Sequence, residues 1–154
     1  MKRHYLLIVM IFAVAMTLSQ RMNAQTVPVW DGAYAPWTQG SGTQADPYLI
    51  EIPQHLSYLA RQVNNVTSSY NGVYFRLTSD LDMNSLEWTP IGNSTTNRFK
   101  GNFDGDGHFI DNIYAVNRYN SATQSFSNPT YCGLFGVIED ATIMNLGVNT
   151  TVDC

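Results

Sequence analysis

Tyr70-Asn71-Gly72-Val73-Tyr74, Phe99-Lys100-Gly101-Asn102-Phe103 and Tyr131-Cys132-Gly133-Leu134-Phe135 share one pattern: aromatic, any residue, Gly, any residue, aromatic. Their starts, at 70, 99 and 131, lie 29 and 32 residues apart. The second and third copies continue alike, with Ile110-Asp111-Asn112-Ile113 matching Ile143-Met144-Asn145-Leu146 and Val116 matching Val148. After the first copy, Phe75-Arg76-Leu77-Thr78-Ser79-Asp80-Leu81 alternates as a strand does, with Phe75, Leu77 and Leu81 on one face. Repeats of this length mark stacked architectures, because one unit cannot bury its apolar face until the next covers it. Gly72, Gly101 and Gly133 hold one offset between the rings, where Gly permits a bend or a close backbone approach. Asn112 and Asn145 suit turns, since Asn tolerates left-handed geometry and bonds nearby backbone. The expected architecture is a β-solenoid with a ring-filled interior. An antiparallel sandwich with recurring hairpins is the alternative.

Upstream of the repeats stands one convincing helix. Leu56, Leu59, Ala60 and Val63 fall at i, i+3, i+4 and i+7, a single apolar stripe. Pro53 suits the first turn and Asn64-Asn65 the exit, so the spacing predicts a helix over 53–64. Such a segment must lie on something apolar, and a cap over the end of a sheet stack is its natural place. His55, beside the stripe, reads as a surface residue. Pro47-Tyr48-Leu49-Ile50 reads as a short strand, and Trp30-Asp31-Gly32 as a turn.

The N-terminus has the form of an export signal. Lys2, Arg3 and His4 precede a 14-residue apolar run from Tyr5 to Leu18, and a polar exit ends in Ala24. The run is short for a membrane span, which leaves an uncleaved anchor as the other reading. The organisation expected is a signal peptide over 1–24, a strand, turn and cap-helix segment over 25–66, and repeats over 67–154. Cleavage after Ala24 would leave five basic residues against twelve acidic ones, a net charge of −7. That balance disfavours nucleic acid as a partner, since phosphate binding needs cations. The expected location is secreted or cell-surface, with no stable membrane span after cleavage. In an oxidising compartment Cys132 and Cys154 could pair. The reading favours unpaired thiols, because Cys132 occupies a variable repeat slot and Cys154 is the last residue.

Gly133-Leu134-Phe135-Gly136 resembles the GLUG motif (Gly-Leu-any-Gly) of repeats in bacterial secreted and surface proteins. Asp46-Pro47-Tyr48-Leu49-Ile50, the 74–82 stretch, Trp88-Thr89-Pro90-Ile91-Gly92 and Phe99 to His108 look like the lead-in of such regions. The resemblance spans about residues 30–149 and implies a short right-handed parallel β-helix on an exported, adhesin-like bacterial protein. It brings no catalytic residues. Family members usually carry several GLUG repeats, whereas here one full motif occurs and Gly101-Asn102-Phe103-Asp104 stands in its place in the preceding copy. The chain is thus expected to be a truncated product or a minimal module whose open C-terminal end a partner or further repeats would cover.

Side chains capable of chemistry are few. Asp104, Asp106 and Asp111 with His108 hint at calcium, a hard ion that wants oxygen ligands. An EF-hand loop would need a different residue at His108, Gly at Phe109 and Glu at Ala115, so a tight turn with Gly105 and Gly107 at positive φ is the better reading. Asp80 and Asp82 alternate along a strand and share a face, as the paired carboxylates of polysaccharide hydrolases and lyases do. An outward, solvated pair is the plainer reading. Trp37 and Trp88 could stack on sugar, although packing is their commoner fate. After the signal only His55 and His108 remain as histidines, and no Gly-x-Ser-x-Gly or His-Glu-x-x-His motif occurs.

These readings converge on an exported, non-enzymatic surface module, adhesin-like or scaffolding, with no metal or cofactor. A fragment of a carbohydrate-active β-helix enzyme is the alternative. A host protein or glycan is the expected partner. The polar insertion over 117–130, with Tyr119 and Phe126, is the expected binding loop, and a tolerated disordered insertion is its plainer reading.

Overall fold

In the computed structural model the described residues are 26–65, 68–116, 119–120, 125–126 and 131–153. The segment over 1–24 expected to be a signal peptide and most of the 117–130 insertion lie outside them. Pro47 leads into β1 (Tyr48–Ile50), and α1 (Pro53–Asn64) follows with Pro53 in its first turn. The apolar stripe of α1 is buried as its spacing requires, through Leu56, Leu59, Ala60 and Val63. Then come β2 (Tyr74–Leu77), β3 (Leu81–Asp82), β4 (Asn102–Asp104) and β5 (Phe109–Val116). The last strands are β6 (Tyr119–Asn120), β7 (Ser125–Phe126), β8 (Thr142–Met144) and β9 (Gly147–Asp153).

Parallel pairing dominates. One sheet runs β1-β2-β4-β8 and a second β3-β5-β9, while β6 and β7 form a separate antiparallel pair. Alternation puts one row of each strand inward. Ile50 lies across from Leu77, Phe75 from Phe103, and Leu81 from Ile110, all of them fully or almost fully buried. Rings fill the space between sheets and helix: Phe75 and Phe99 have centroids 6.0 Å apart, Phe99 and Phe135 5.3 Å, and Phe103 and Phe135 5.7 Å. Trp37 packs edge-on against Phe75 at 5.4 Å, and Trp30 against Trp88 at 5.6 Å.

Several expectations are corrected here. The chain is not an all-β solenoid, and it does not form the right-handed parallel β-helix that the resemblance implied. Its strands divide between two small, separate parallel sheets with a 12-residue helix beside them. Beyond these sheets, parallel pairing between described residues is limited to isolated bridges such as Ile91 with Phe135 and Phe99 with Ile138. The physical reason is an uneven step. Register advances 28 residues from Phe75 to Phe103, then 40 from Phe103 to Ile143, so no constant unit repeats. In the first copy the inward ring is Phe75, not Tyr74, which lies across from Asn102. Ile143 pairs with Phe103 rather than matching Ile110, and Val148 pairs with Ile110 rather than matching Val116.

Cys132 is held in a disulfide, which overturns the unpaired reading; the chain's other cysteine, Cys154, lies outside the described residues. His55 is only 5% exposed, and its Nδ1 accepts the Glu51 N–H at 3.3 Å. It is a packed residue of the helix, not a surface one.

Candidate functional site

The repeat glycines serve different local ends. Gly72 and Gly133 adopt positive φ. Gly101 and Gly136 sit where a Cβ would meet the Phe99 ring at 2.7 Å and the Gly92 carbonyl at 2.4 Å. Leu134 is buried and Phe135 packs against the core. Asn112 and Asn145 both take left-handed geometry, with φ of 57° and 53°. Each donates its amide backwards, Asn112 to Asp82 Oδ1 at 2.8 Å and Asn145 to Asp104 Oδ1 at 2.9 Å. The same two oxygens accept the N–H groups of Asn84 and Asp106, closing Asx turns. A recurrent device therefore links each turn to the next layer. Its sequence signal is Asp-x-Asx at 82–84 and 104–106, which the repeat reading had not isolated.

The acidic candidates are engaged structurally. Asp80 Oδ1 accepts the Phe109 N–H at 3.0 Å and lies 3.1 Å from His108 Nδ1. The Phe109 N–H first, and then His108, hold the Asp80 carboxyl below its ordinary range. Asp104 is likewise lowered, first by Asn145 and then by the Asp106 N–H. A glycosidase acid needs the opposite shift. Among the described residues no three His, Cys, Asp or Glu side chains converge as metal ligands. Gly107 has positive φ, but Gly105 does not; its missing Cβ instead makes room for the Asn145 carbonyl, 2.5 Å from where that atom would stand. Trp88 is buried, with Nε1 donating to the Leu134 carbonyl. Trp37 is partly buried in the ring cluster. Tyr119 and Phe126 lie across from each other in the β6–β7 pair, outside both parallel sheets.

Two larger grooves are lined mainly by engaged groups. Beside α1, a cavity of about 350 Å³ is floored by Trp30 and Trp88, and Arg61 covers the Tyr34 ring at 4.5 Å. There Asn64 is fully used, donating to the Pro90 carbonyl and accepting from the Gly92 and Asn93 N–H groups. In the groove around Arg98 and Lys100, Glu139 pairs with both cations, which hold its carboxyl low.

The outer face of the first sheet differs. Alternation that sends Phe75 and Leu77 inward sends Tyr74 and Arg76 outward, beside Asn102 and Asp104 of β4. With Gln44 and Met144 these residues line a groove of about 200 Å³. Among the described residues the side chains of Gln44, Tyr74 and Asn102 make no hydrogen bond. Arg76 Nε is buried without a partner. An unpaired buried donor costs about 1–3 kcal/mol. Two amides and a phenol without hydrogen-bond partners thus converge beside Arg76, whose charge also acts on Asp104 across the pair. Amides, a phenol and a guanidinium carry none of the acid or histidine pattern of catalytic or metal sites, so the outward row of β2 is their only sequence signal.

No protein-family model and no solved structure matches the chain. It is 33% identical over 116 residues to a Gly-rich membrane protein of Evansella cellulosilytica, covering 71% of this chain and 12% of that one. It is 31% identical over 165 aligned positions to halomucin of Haloquadratum walsbyi, covering 89% of this chain and 2% of that protein. The chain therefore spans a small part of each relative's length. Both names point to a surface or membrane-associated setting, while no described helix is long and apolar enough to cross a membrane.

Proposed function

We propose that the chain is an exported, non-catalytic surface module of adhesin-like character, and that its ligand is a glycan bound on the outer face of the first sheet. The observation that carries this is the groove of Gln44, Tyr74, Arg76 and Asn102, where unpartnered donors and acceptors flank a ring. A sugar offers hydroxyls for such groups and an apolar ring face for Tyr74. The names of both relatives and the GLUG-like Gly133-Leu134-Phe135-Gly136 support the surface setting. On this reading the partner is a polysaccharide or glycoprotein outside the cell, and the chain serves as one part of a longer surface protein.

The test is a glycan array probed with the full chain, beside Tyr74→Ala and Arg76→Ala variants whose folding is checked by circular dichroism. Retention of a glycan by the wild type, weakened at least about tenfold in each variant, is expected, a loss of about 1.4 kcal/mol. Binding of no glycan, or binding indifferent to both substitutions, would remove the groove from consideration. Release of reducing ends during incubation would refute the non-catalytic part.

A further inference from the structure

The outer face of the first sheet extends beyond the groove at Tyr74 and Asn102. Burial alternates without a break from Phe99 to Asp104: Phe99, Gly101 and Phe103 are buried, whereas Lys100, Asn102 and Asp104 are only partly so. The outward row that carries Asn102 and Asp104 into the groove therefore includes Lys100, about 6.6 Å before Asn102 at the rise of a strand. Backbone pairing runs on with it. The Lys100 N–H donates to the Ser69 carbonyl at 2.8 Å, and the Asn102 N–H to the Val73 carbonyl at 2.8 Å. On the other side the Glu139 N–H donates to the Phe99 carbonyl at 3.0 Å. The segments leading into β2, β4 and β8 thus lie side by side, as the strands themselves do.

Over these leading segments lies the second groove, about 350 Å³, lined by Ser69, Thr95, Thr96, Arg98, Lys100 and Glu139. Its cations keep donors in reserve. Arg98 gives Nη1 to Glu139 and Nε to the Thr95 carbonyl, which leaves Nη2 uncommitted. The Lys100 ammonium has three protons and Glu139 as its one ion-pair partner among the described residues. The hydroxyls of Ser69 and Thr95 make no hydrogen bond among the described residues. Glu139 offsets one of the two positive charges, so the lining keeps one in excess. That sign runs against the rest of the chain. Beyond residue 24 there are five Lys and Arg against twelve Asp and Glu, yet three of the five, Arg76, Arg98 and Lys100, line these two grooves.

We propose that the glycan is an acidic one, with the carboxylate or sulfate of one sugar held between Arg98 and Lys100 while a neighbouring sugar lies against Tyr74 and Asn102. The inference rests on the glycan reading of the first groove and adds the charge of the ligand and the direction in which it runs. A guanidinium and an ammonium side by side suit an oxyanion, because charge-assisted hydrogen bonds are about twice as strong as neutral ones. The free hydroxyls of Ser69 and Thr95 serve the same anion or the sugar that bears it. An extended oligosaccharide laid along the β4 row meets both grooves in turn.

The test is calorimetric titration of the full chain with four oligosaccharides of equal length: an oligouronate, its carboxyl-reduced counterpart, a sulfated galactan and its desulfated counterpart. The two pairs separate carboxylate from sulfate as the source of the anion. In at least one pair the acidic member is expected to bind about tenfold tighter, or more, than its uncharged counterpart. Lys100→Gln and Arg98→Gln each leave the other cation paired with Glu139 and bring the second groove to neutrality, so each should cut that preference to about twofold or less. The two variants are made separately, so that one suffices should the other not fold. Arg61→Gln, which removes a cation outside both grooves, should keep the preference. Tyr74→Ala should weaken both members of the pair. Equal binding of both members, or a preference that survives Lys100→Gln and Arg98→Gln, overturns the acidic ligand and leaves the first groove as a glycan site. Acidic binding indifferent to Tyr74→Ala overturns the shared track, and binding of none of the four overturns this proposal together with the reading beneath it.

Discussion

Phe103 shows what a single residue does in this fold. It is fully buried, lies across from Phe75 on one side and Ile143 on the other, and meets Phe135 at 5.7 Å. Phe103→Ala removes a ring that two sheet neighbours cannot refill, so a loss of about 3–5 kcal/mol is expected in urea unfolding. A loss under about 1 kcal/mol would mean the site collapses freely. His55 carries a pH dependence of known sign. Burial is the main cause that lowers its pKa below the ordinary 6.5. Unfolded chains then bind a proton that the folded chain refuses, so stability is full above 6.5 and falls as pH drops through the window beneath it. Melting temperatures at about pH 7.5 and 5.5 should differ more for wild type than for His55→Gln, since His is the side chain that titrates there. Asp80 acts at lower pH. The Phe109 N–H and His108 depress its carboxyl, so its contribution is present above 3.8 and is lost as pH falls through its lower folded pKa. Much at this scale was legible: Phe75, Leu77, Leu81 and Phe103 are inward, and the alternation said so. The burial of His55 was hidden because the stripe was drawn through Leu56, although His55, Leu59 and Val63 also fall at i, i+4 and i+8. Tyr74, the second ring of its motif, stays on the outer face because the alternation that buries Phe75 and Leu77 puts it there.

At the scale of elements, the end of α1 is tied to the chain beyond it through Asn64 and Asn97. Asn64 bonds Pro90, Gly92 and Asn93, while Asn97 returns a 2.6 Å hydrogen bond to the Asn64 carbonyl. Asn64→Leu leaves three polar backbone groups without that partner, and unmade bonds of this kind cost about 1–3 kcal/mol each where water cannot replace them. The Gly92 and Asn93 amides should then exchange with solvent sooner than those of β4, as read by hydrogen exchange. Equal protection in the variant would show that the helix is held by its apolar face alone. The helix itself was legible to the residue, because Pro53, the stripe and Asn64-Asn65 agree. Strand register was not. The aromatic-x-Gly-x-aromatic units share local turn and packing chemistry, but parallel strands are paired by long-range fit, which a local motif does not encode.

At the scale of the whole molecule, the sequence period suggested one continuous coil and the structure has two short sheets. The reason lies in the unequal steps of 28 and 40 residues between Phe75, Phe103 and Ile143. The groove over the first sheet is illegible for a related reason: Gln44, Tyr74, Arg76 and Asn102 come from three separate segments that the fold brings together. The disulfide at Cys132 acts on this scale too. Cys154 is the only other cysteine, so the closed segment would hold about 22 residues, a constraint worth about 3 kcal/mol in the chain-entropy account. Replacing both cysteines by Ser should lower the urea midpoint without changing circular dichroism. An unchanged midpoint would show that the crosslink does not restrain the unfolded chain.

The β6–β7 pair stands apart from both parallel sheets, and it lies within the longer of the two steps. Added length between Asn120 and Ser125 therefore burdens neither ladder, and each doubling of such a loop costs only about 0.6 kcal/mol. That position is a natural graft point. Foreign peptides displayed there are expected to leave the melting temperature almost unmoved while β4, β5, β8 and β9 hold still.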